Sequence, residues 1–225
     1  MKTLKLTLLT VTLITAAVAF AFRLDVAGSP LFWLGMAVPY LALGVLAVRK
    51  LWNEGALIDV LAPRWGDFSL GFVTAAVLLF ASFGARAVLA PAGSTRLAWL
   101  FRIYAQIGDT DAVQHSVVYT GALIVIVICE ELVWRSMVLD ELTQRFGSRR
   151  AWPLAALCYG VTALPTLFTL RDPIAGYNPL LVTAAVGCGL VWSFLASIKG
   201  RLLPVVIAHG VFTYFSLLQF RWPSG

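Results

Sequence analysis

The sequence predicts an all-α fold, a polytopic transmembrane bundle of seven or eight helices. Three observations predict it. Hydrophobic residues make up 60% of the 225 and charged residues 12%, where a soluble globule carries roughly 45–50% and about 25%. The mean hydropathy is +0.87. The apolar residues also fall into stretches close to the length of about 20 that spans a bilayer. The length suits one compact bundle over residues 1–225. The chain shows no internal repeat, low-complexity tract or separate soluble domain.

The stretches are 6–22, 31–48, 68–90, 116–139, 152–170, 179–198 and 202–220. The first follows a basic start and ends Ala-rich, which also marks a cleaved signal peptide. Its apolar run is long for one, and a retained first helix is favoured. Residues 91–114, PAGSTRLAWLFRIYAQIGDTDAVQ, begin with Pro, Gly and Ser. They then set Trp99, Leu100, Phe101, Ile103 and Tyr104 among Arg96 and Arg102. This reads as an interfacial amphipathic helix or a lid. Loop charges orient the spans. With the N-terminus inside, the inner loops hold Lys2, Lys5, Arg49, Lys50, Arg64, Arg145, Arg149, Arg150, Lys199 and Arg201. The outer side holds Arg23, Arg86, Arg96, Arg102, Arg171 and Arg221. That excess places the N-terminus inside and the C-terminus outside. The net charge of +6 is thereby a matter of topology, and no nucleic-acid partner is expected. Cys129, Cys158 and Cys188 lie in apolar stretches and read as small buried hydrophobes.

The stretch VIVICEELVWRSMVLDEL, residues 125–142, sets Glu130, Glu131 and Arg135 behind a run of Ile and Val. An ionisable side chain in the bilayer costs about 2.5–3.5 kcal/mol on insertion scales. Glu131 and Arg135 are four apart, share a helix face and can pair. Their structural reading is a salt bridge near a helix end. Glu130 is turned about 100° from Glu131 and lacks that partner. An unpaired carboxylate in an apolar pocket suits a general base.

His209, in LLPVVIAHGVFTYF, is one of two histidines. A lone His on an apolar helix is often a satisfied core residue. Counting residues from the span ends puts Glu130, position 163 and His209 at one level, as a site within a bundle requires. Thr213 is one turn beyond His209 on the same face, a donor to the site or to its own helix. Gly210 permits close helix approach. His115 is 15 residues before Glu130 on the same helix, roughly 22 Å away, and cannot easily join them. A zinc site would need two or three converging histidines. No metal or other cofactor is expected.

EELVWR at 130–135 matches the EExxxR motif of the CPBP family, intramembrane glutamic proteases that include the type II CAAX prenyl endopeptidases and bacteriocin-processing or immunity proteins. YGVTALPT at 159–166 resembles the second motif, an aromatic followed by three residues and then His. HGVFT at 209–213 resembles the third, His followed by three residues and then Asn or Asp. The resemblance covers residues 116–220. It implies a metal-independent endopeptidase acting on a membrane-anchored protein or peptide in the lipid bilayer. Glu130 would activate water, His209 with Thr213 would orient it or bind the oxyanion, and Glu131 and Arg135 would hold the helix and contact the substrate. The bacterial look implies a multi-pass protein of the cell's inner (cytoplasmic) membrane, with a myxosortase-like branch among the options. Two positions depart from the pattern: Ala163 stands at the second-motif His and Thr213 at the Asn or Asp. Ala163 leaves open an engineered inactive variant, a natural pseudoenzyme and a divergent enzyme. The intact flanks, including Pro165, favour a single inactivating change. The alternative function is a non-catalytic binding or immunity protein of the same fold. The oligomeric state is left open.

Overall fold

A computed structural model describes residues 4–219. Lys2 and Arg221 of the charge count, and the end of the last stretch, lie outside the described residues. The helices are α1 (Lys5–Ala21), α2 (Pro30–Asn53), the short α3 (Leu57–Leu61), α4 (Asp67–Leu89), α5 (Leu97–Ile107) and α6 (Thr110–His115). Next come α7 (Val117–Glu131), a π-helical segment (Leu132–Val138) and α8 (Leu139–Phe146), which run on without a break. Then come α9 (Ser148–Thr162), α10 (Thr166–Thr169), α11 (Leu180–Lys199) and α12 (Leu203–Thr213), the last extended by a second π-helical segment, Tyr214–Gln219.

Among the described residues, five helical stretches are long and apolar enough to cross a membrane: Pro30–Asn53, Asp67–Leu89, Val117–Phe146, Ser148–Thr169 and Leu180–Lys199. The chain is a multi-pass membrane protein. The first and last expected spans, Lys5–Ala21 and Leu203–Gln219, are apolar but shorter. Large apolar side chains such as Val45, Phe80 and Val117 lie on the outside of the bundle, where lipid rather than water would meet them. Hydrocarbon offers no hydrophobic force between helices, so close packing and polar bonds must hold them.

Two glycines mark places where helices approach closely. A side chain on Gly71 of α4 would meet Ile207 of α12 at 2.7 Å, and one on Gly44 of α2 would meet the Cys129 sulfur of α7 at 2.9 Å. Gly210 is different. A Cβ there would find only Val127, at 3.9 Å, so the expected tight approach is made elsewhere.

Two span boundaries differ from the hydropathy reading. The fourth stretch does not end at 139 but continues as α8 to Phe146. Asp140 and Glu141 end the apolar run, yet both have partners. Lys50 bonds Asp140, and Glu141 accepts from the Thr7 amide at 2.7 Å and the Thr7 hydroxyl at 2.6 Å. Glu141 thereby satisfies donors at the start of α1, where helix amides lack partners of their own. The fifth stretch breaks after Thr162, and Pro165 stands in the break, a residue that cannot donate to a helix ladder. α1 packs along α2 and α9 and buries Thr7, Thr10, Ile14, Val18 and Ala21, so it is part of the bundle.

α5 lies across one end of the bundle with Trp99, Leu100, Ile103 and Tyr104 buried and Phe101 exposed. It is tied on every side. Gln106 donates to the Ala21 carbonyl at 2.7 Å, Trp33 to the Ile107 carbonyl at 3.2 Å, and Asn178 to the Trp99 carbonyl at 3.0 Å. Arg102 pairs with Asp172 at 3.2 Å.

Candidate active site

The two glutamates of the EExxxR stretch face different surroundings. Glu131 is fully buried and bridges two partners. Its Oε2 accepts from Arg135 Nε at 3.0 Å, and its Oε1 meets His209 Nδ1 at 2.7 Å. Arg135 also donates to the Ser193 hydroxyl of α11 at 2.8 Å, and its guanidinium lies 5.8 Å from the centre of the Tyr159 ring. Three helical elements are thus tied by one buried carboxylate. The π-helical segment that starts right after Glu131 has wider turns than an α-helix, and all seven of its residues are buried.

Glu130 points elsewhere. Its Oε1 accepts from the Tyr40 hydroxyl at 3.1 Å, and that hydroxyl in turn accepts from the Trp134 indole at 3.2 Å. Tyr159 stands close to the same carboxylate. Glu130 lines a cavity of about 270 Å³. The same cavity is lined by Ala163 at the end of α9, by His209 and by Thr213. Four sequence-selected positions on three helices therefore meet at one void. The remaining two do not. Glu131 and Arg135 sit behind the wall, with side chains 0% exposed, so the expected contact of Arg135 with substrate is corrected. Its guanidinium is spent on Glu131 and Ser193, because a buried charge must be paired to be tolerated. His115 is exposed and bonds the Asp111 carbonyl at 3.0 Å, away from these groups.

The His209 ring is fixed on two sides. Nδ1 is held by Glu131, which leaves Nε2 for the cavity. The Trp192 indole stacks on the ring with centroids 3.8 Å apart and planes 23° from parallel. A carboxylate on one ring nitrogen sets the tautomer and orientation of the other. His209 shares the cavity with Glu130, as their common level implies, while its direct bond is to Glu131.

Sequence reasoning missed Tyr40, Trp192 and Arg86, which also line the cavity. Tyr40 and Trp192 sit inside apolar spans, where an aromatic reads as core. One signal was available for Tyr40: Gly44, one turn later on the same face, is the residue that lets α2 touch α7 beside Glu130.

The cavity's lining settles which end it faces. Phe22, Phe32, Trp33, Ile107 and Leu217 are among the residues that line it. These come from the end of α1, the start of α2, the end of α5 and the last turn after α12. The cavity therefore lies toward the end of the bundle that carries α5, and Glu130 is 16 residues from the other end of its helix at Phe146.

The family of the Rce1-like type II CAAX prenyl endopeptidases matches residues 112–215. That segment contains Glu130, Glu131, Arg135, Ala163, His209 and Thr213. The match supports the CPBP/CAAX protease family for this motif-bearing segment. Neither the curated proteins nor the solved structures compared with the chain match it. The matched half is the half that supplies both EExxxR glutamates and the histidine. Residues 1–111 lie outside the match, yet they contribute Tyr40 and Arg86 to the same cavity.

Proposed function

We propose that this chain is an intramembrane endopeptidase in which Glu130 activates water against a peptide bond of a membrane-anchored protein or peptide. Glu130 takes a proton from water as the oxygen attacks the scissile carbonyl, and returns it to the leaving amine when the carbon–nitrogen bond breaks. Tyr40 occupies one carboxylate oxygen and leaves the other for the proton. His209, held by Glu131 and Trp192, presents Nε2 to orient the water or to meet the oxyanion. Thr213 adds a hydroxyl on the same helix face. Glu131 and Arg135 act as positioning residues through His209 and the helix packing. The reading is metal-independent, and among the described residues no three His, Cys, Asp or Glu side chains are gathered as a ligand set.

The single observation that carries this is the shared cavity of Glu130 and His209, on residues within the family match. Ala163 lines it too, with a methyl where the family pattern has an imidazole. Loss of one such donor costs about 10²–10³ in rate, so the chain as it stands would be a slow enzyme or an inactive one. The second reading, a peptide-binding or immunity protein of this fold, rests on that methyl.

The test is cleavage of a quenched fluorescent peptide carrying a lipid anchor, with the protein in proteoliposomes. Ala163→His should raise the rate by about 10²–10³. Glu130→Gln in that background should abolish the gain, and a chelator should leave it intact. If Ala163→His is silent while the unmodified chain cleaves, position 163 is wrongly assigned. If neither cleaves but the chain binds peptide, the binding reading takes over.

A further inference from the structure

Tyr159 lines the cavity together with Glu130 and Ala163 and stands close to the Glu130 carboxylate. It lies on α9 four residues before Ala163, one turn away on the same face. Ala163 caps α9 with helical backbone angles, φ −84° and ψ −9°. A side chain on such a backbone leans back over the preceding turn. An imidazole at 163 would therefore lie over the turn that carries Tyr159. The phenol stands beside the space that the Ala163 methyl leaves open.

The Tyr159 ring is held on several sides. Trp134 meets it edge-on, with centroids 5.3 Å apart and planes at 84°. Trp192, which stacks on His209, meets it at 6.2 Å and 71°. The Arg135 guanidinium lies 5.8 Å from its centre. Gly189 of α11 makes room for it, since a Cβ there would come within 3.1 Å of Tyr159 Cδ1. A donor fixed in advance needs no rearrangement at the moment of reaction. The other hydroxyls nearby are committed. Tyr40 donates to Glu130 and accepts from Trp134. Thr162 and Thr166 line the cavity too, but they donate to the carbonyls of Tyr159 and Ala163, each at 2.7 Å. On the wall made by α9 and α10, Tyr159 is the O–H donor that remains.

We propose that Tyr159 is a catalytic residue whose hydroxyl stands in for the absent imidazole at position 163 and holds the oxyanion. This rests on the endopeptidase reading above. When water adds to the scissile carbonyl, the π electrons move to oxygen and the Tyr159 O–H donates to it, keeping its own proton. Glu130 carries the proton of water to the leaving amine as the carbon–nitrogen bond breaks. The chain as it stands is then a slow enzyme, with a phenol in place of an imidazole.

Binding separates this proposal from turnover. The probes are a short Ala/Leu peptide with its central amide replaced by a phosphinate, a stable tetrahedral anion, and the same peptide with the ordinary amide. Each competes with a fluorescein-labelled amide peptide for the Glu130→Gln protein in nanodiscs, with a chelator present. The phosphinate should bind about 10–100-fold more tightly than the amide, the scale of a charge-assisted hydrogen bond. Tyr159→Phe, which keeps the ring and its packing, should erase most of that preference. With Ala163→His added, Tyr159→Phe should cost no more than about threefold, because an imidazole then holds the same oxygen and the two donors are coupled. Gly189→Ala crowds the ring, should weaken the preference, and serves where Tyr159→Phe does not fold. Equal binding of the two peptides, no binding by the folded protein, or a preference untouched by these variants overturns the proposal. So does an equal loss from Tyr159→Phe with and without Ala163→His, which would mark a packing role alone. Absent cleavage by Ala163→His with the Tyr159-dependent preference intact would instead overturn the catalytic reading alone.

Discussion

Arg135→Ala tests whether the buried bridge is a structural clamp. The change removes the Arg135–Glu131 ion pair at 3.0 Å and the Arg135–Ser193 bond at 2.8 Å. Glu131 stays in place, 0% exposed, with His209 as its remaining partner. Taking one member from a buried pair costs about 3–5 kcal/mol, because the other charge is stranded. At about 2–4 °C per kcal/mol for a chain of this size, Tm should fall by about 6–20 °C. The assay is the fraction of monodisperse protein surviving a heating series in detergent. Glu130→Gln is the control. Glu130 faces a cavity, and an amide oxygen can still accept from Tyr40, so Tm should move little while cleavage is lost. A Glu131→Leu/Arg135→Met double variant should recover part of the loss, since apolar replacement of a whole buried pair is often neutral. A Tm for Arg135→Ala within a degree or two of the parent would refute the clamp.

Tyr40→Phe removes the 3.1 Å hydrogen bond from α2 to Glu130; peptidase rate in the Ala163→His background should drop severalfold with little change in KM. Gly44→Leu should cost more than Gly71→Ala in activity, because Gly44 sets the contact between α2 and α7 at Cys129; the check is the ratio of activity to folded yield for each. In the loop before α11, the Ala175 and Ile174 amides hold the Asp172 carboxyl below its ordinary range. A lowered folded pKa adds stability above the unfolded value, lost as pH falls through the folded one. The hydrogen-exchange protection factor of the 172–176 turn, corrected for the intrinsic pH dependence of exchange, should therefore be unchanged from neutral pH to about pH 4 and fall only below it.

Much of the fold was legible because membranes impose length and hydropathy together. Among the described residues each of the seven expected stretches falls on helix, the fifth with a break at 163–165, and the amphipathic reading of residues 91–114 found α5. The boundaries were less legible. Hydropathy ends at the first charges, so it stopped before Asp140 and Glu141, whereas a helix ends where its backbone and caps dictate. The π-helical segments at Leu132–Val138 and Tyr214–Gln219 leave no trace in an apolar pattern. The i,i+4 spacing foretold the Glu131–Arg135 bond. No spacing could foretell that His209 turns to Glu131, since that depends on how α12 is rotated against α7. Arg86 was counted only as a charge at a span end, because its hydroxyl and carbonyl partners lie 18 and 130 residues away.

The π-helical segment also sets the phase between two unrelated tasks. Glu130 and Glu131 precede it, and Asp140 and Glu141, which hold Lys50 and the start of α1, follow it. Each hydrogen-bonded turn there contains one residue more than an α-turn, and one residue is worth about 100° of rotation. The extra residue works like an offset in a camshaft. It allows a single rigid rod to aim Glu130 at the cavity on one stretch and Asp140 and Glu141 at the first two helices on the next. A one-residue deletion between Leu132 and Val138 would leave composition, hydropathy and helix content almost untouched. It would nevertheless turn Asp140 and Glu141 about a quarter turn away from Lys50 and Thr7, uncoupling the cavity-lining half of the rod from its anchor.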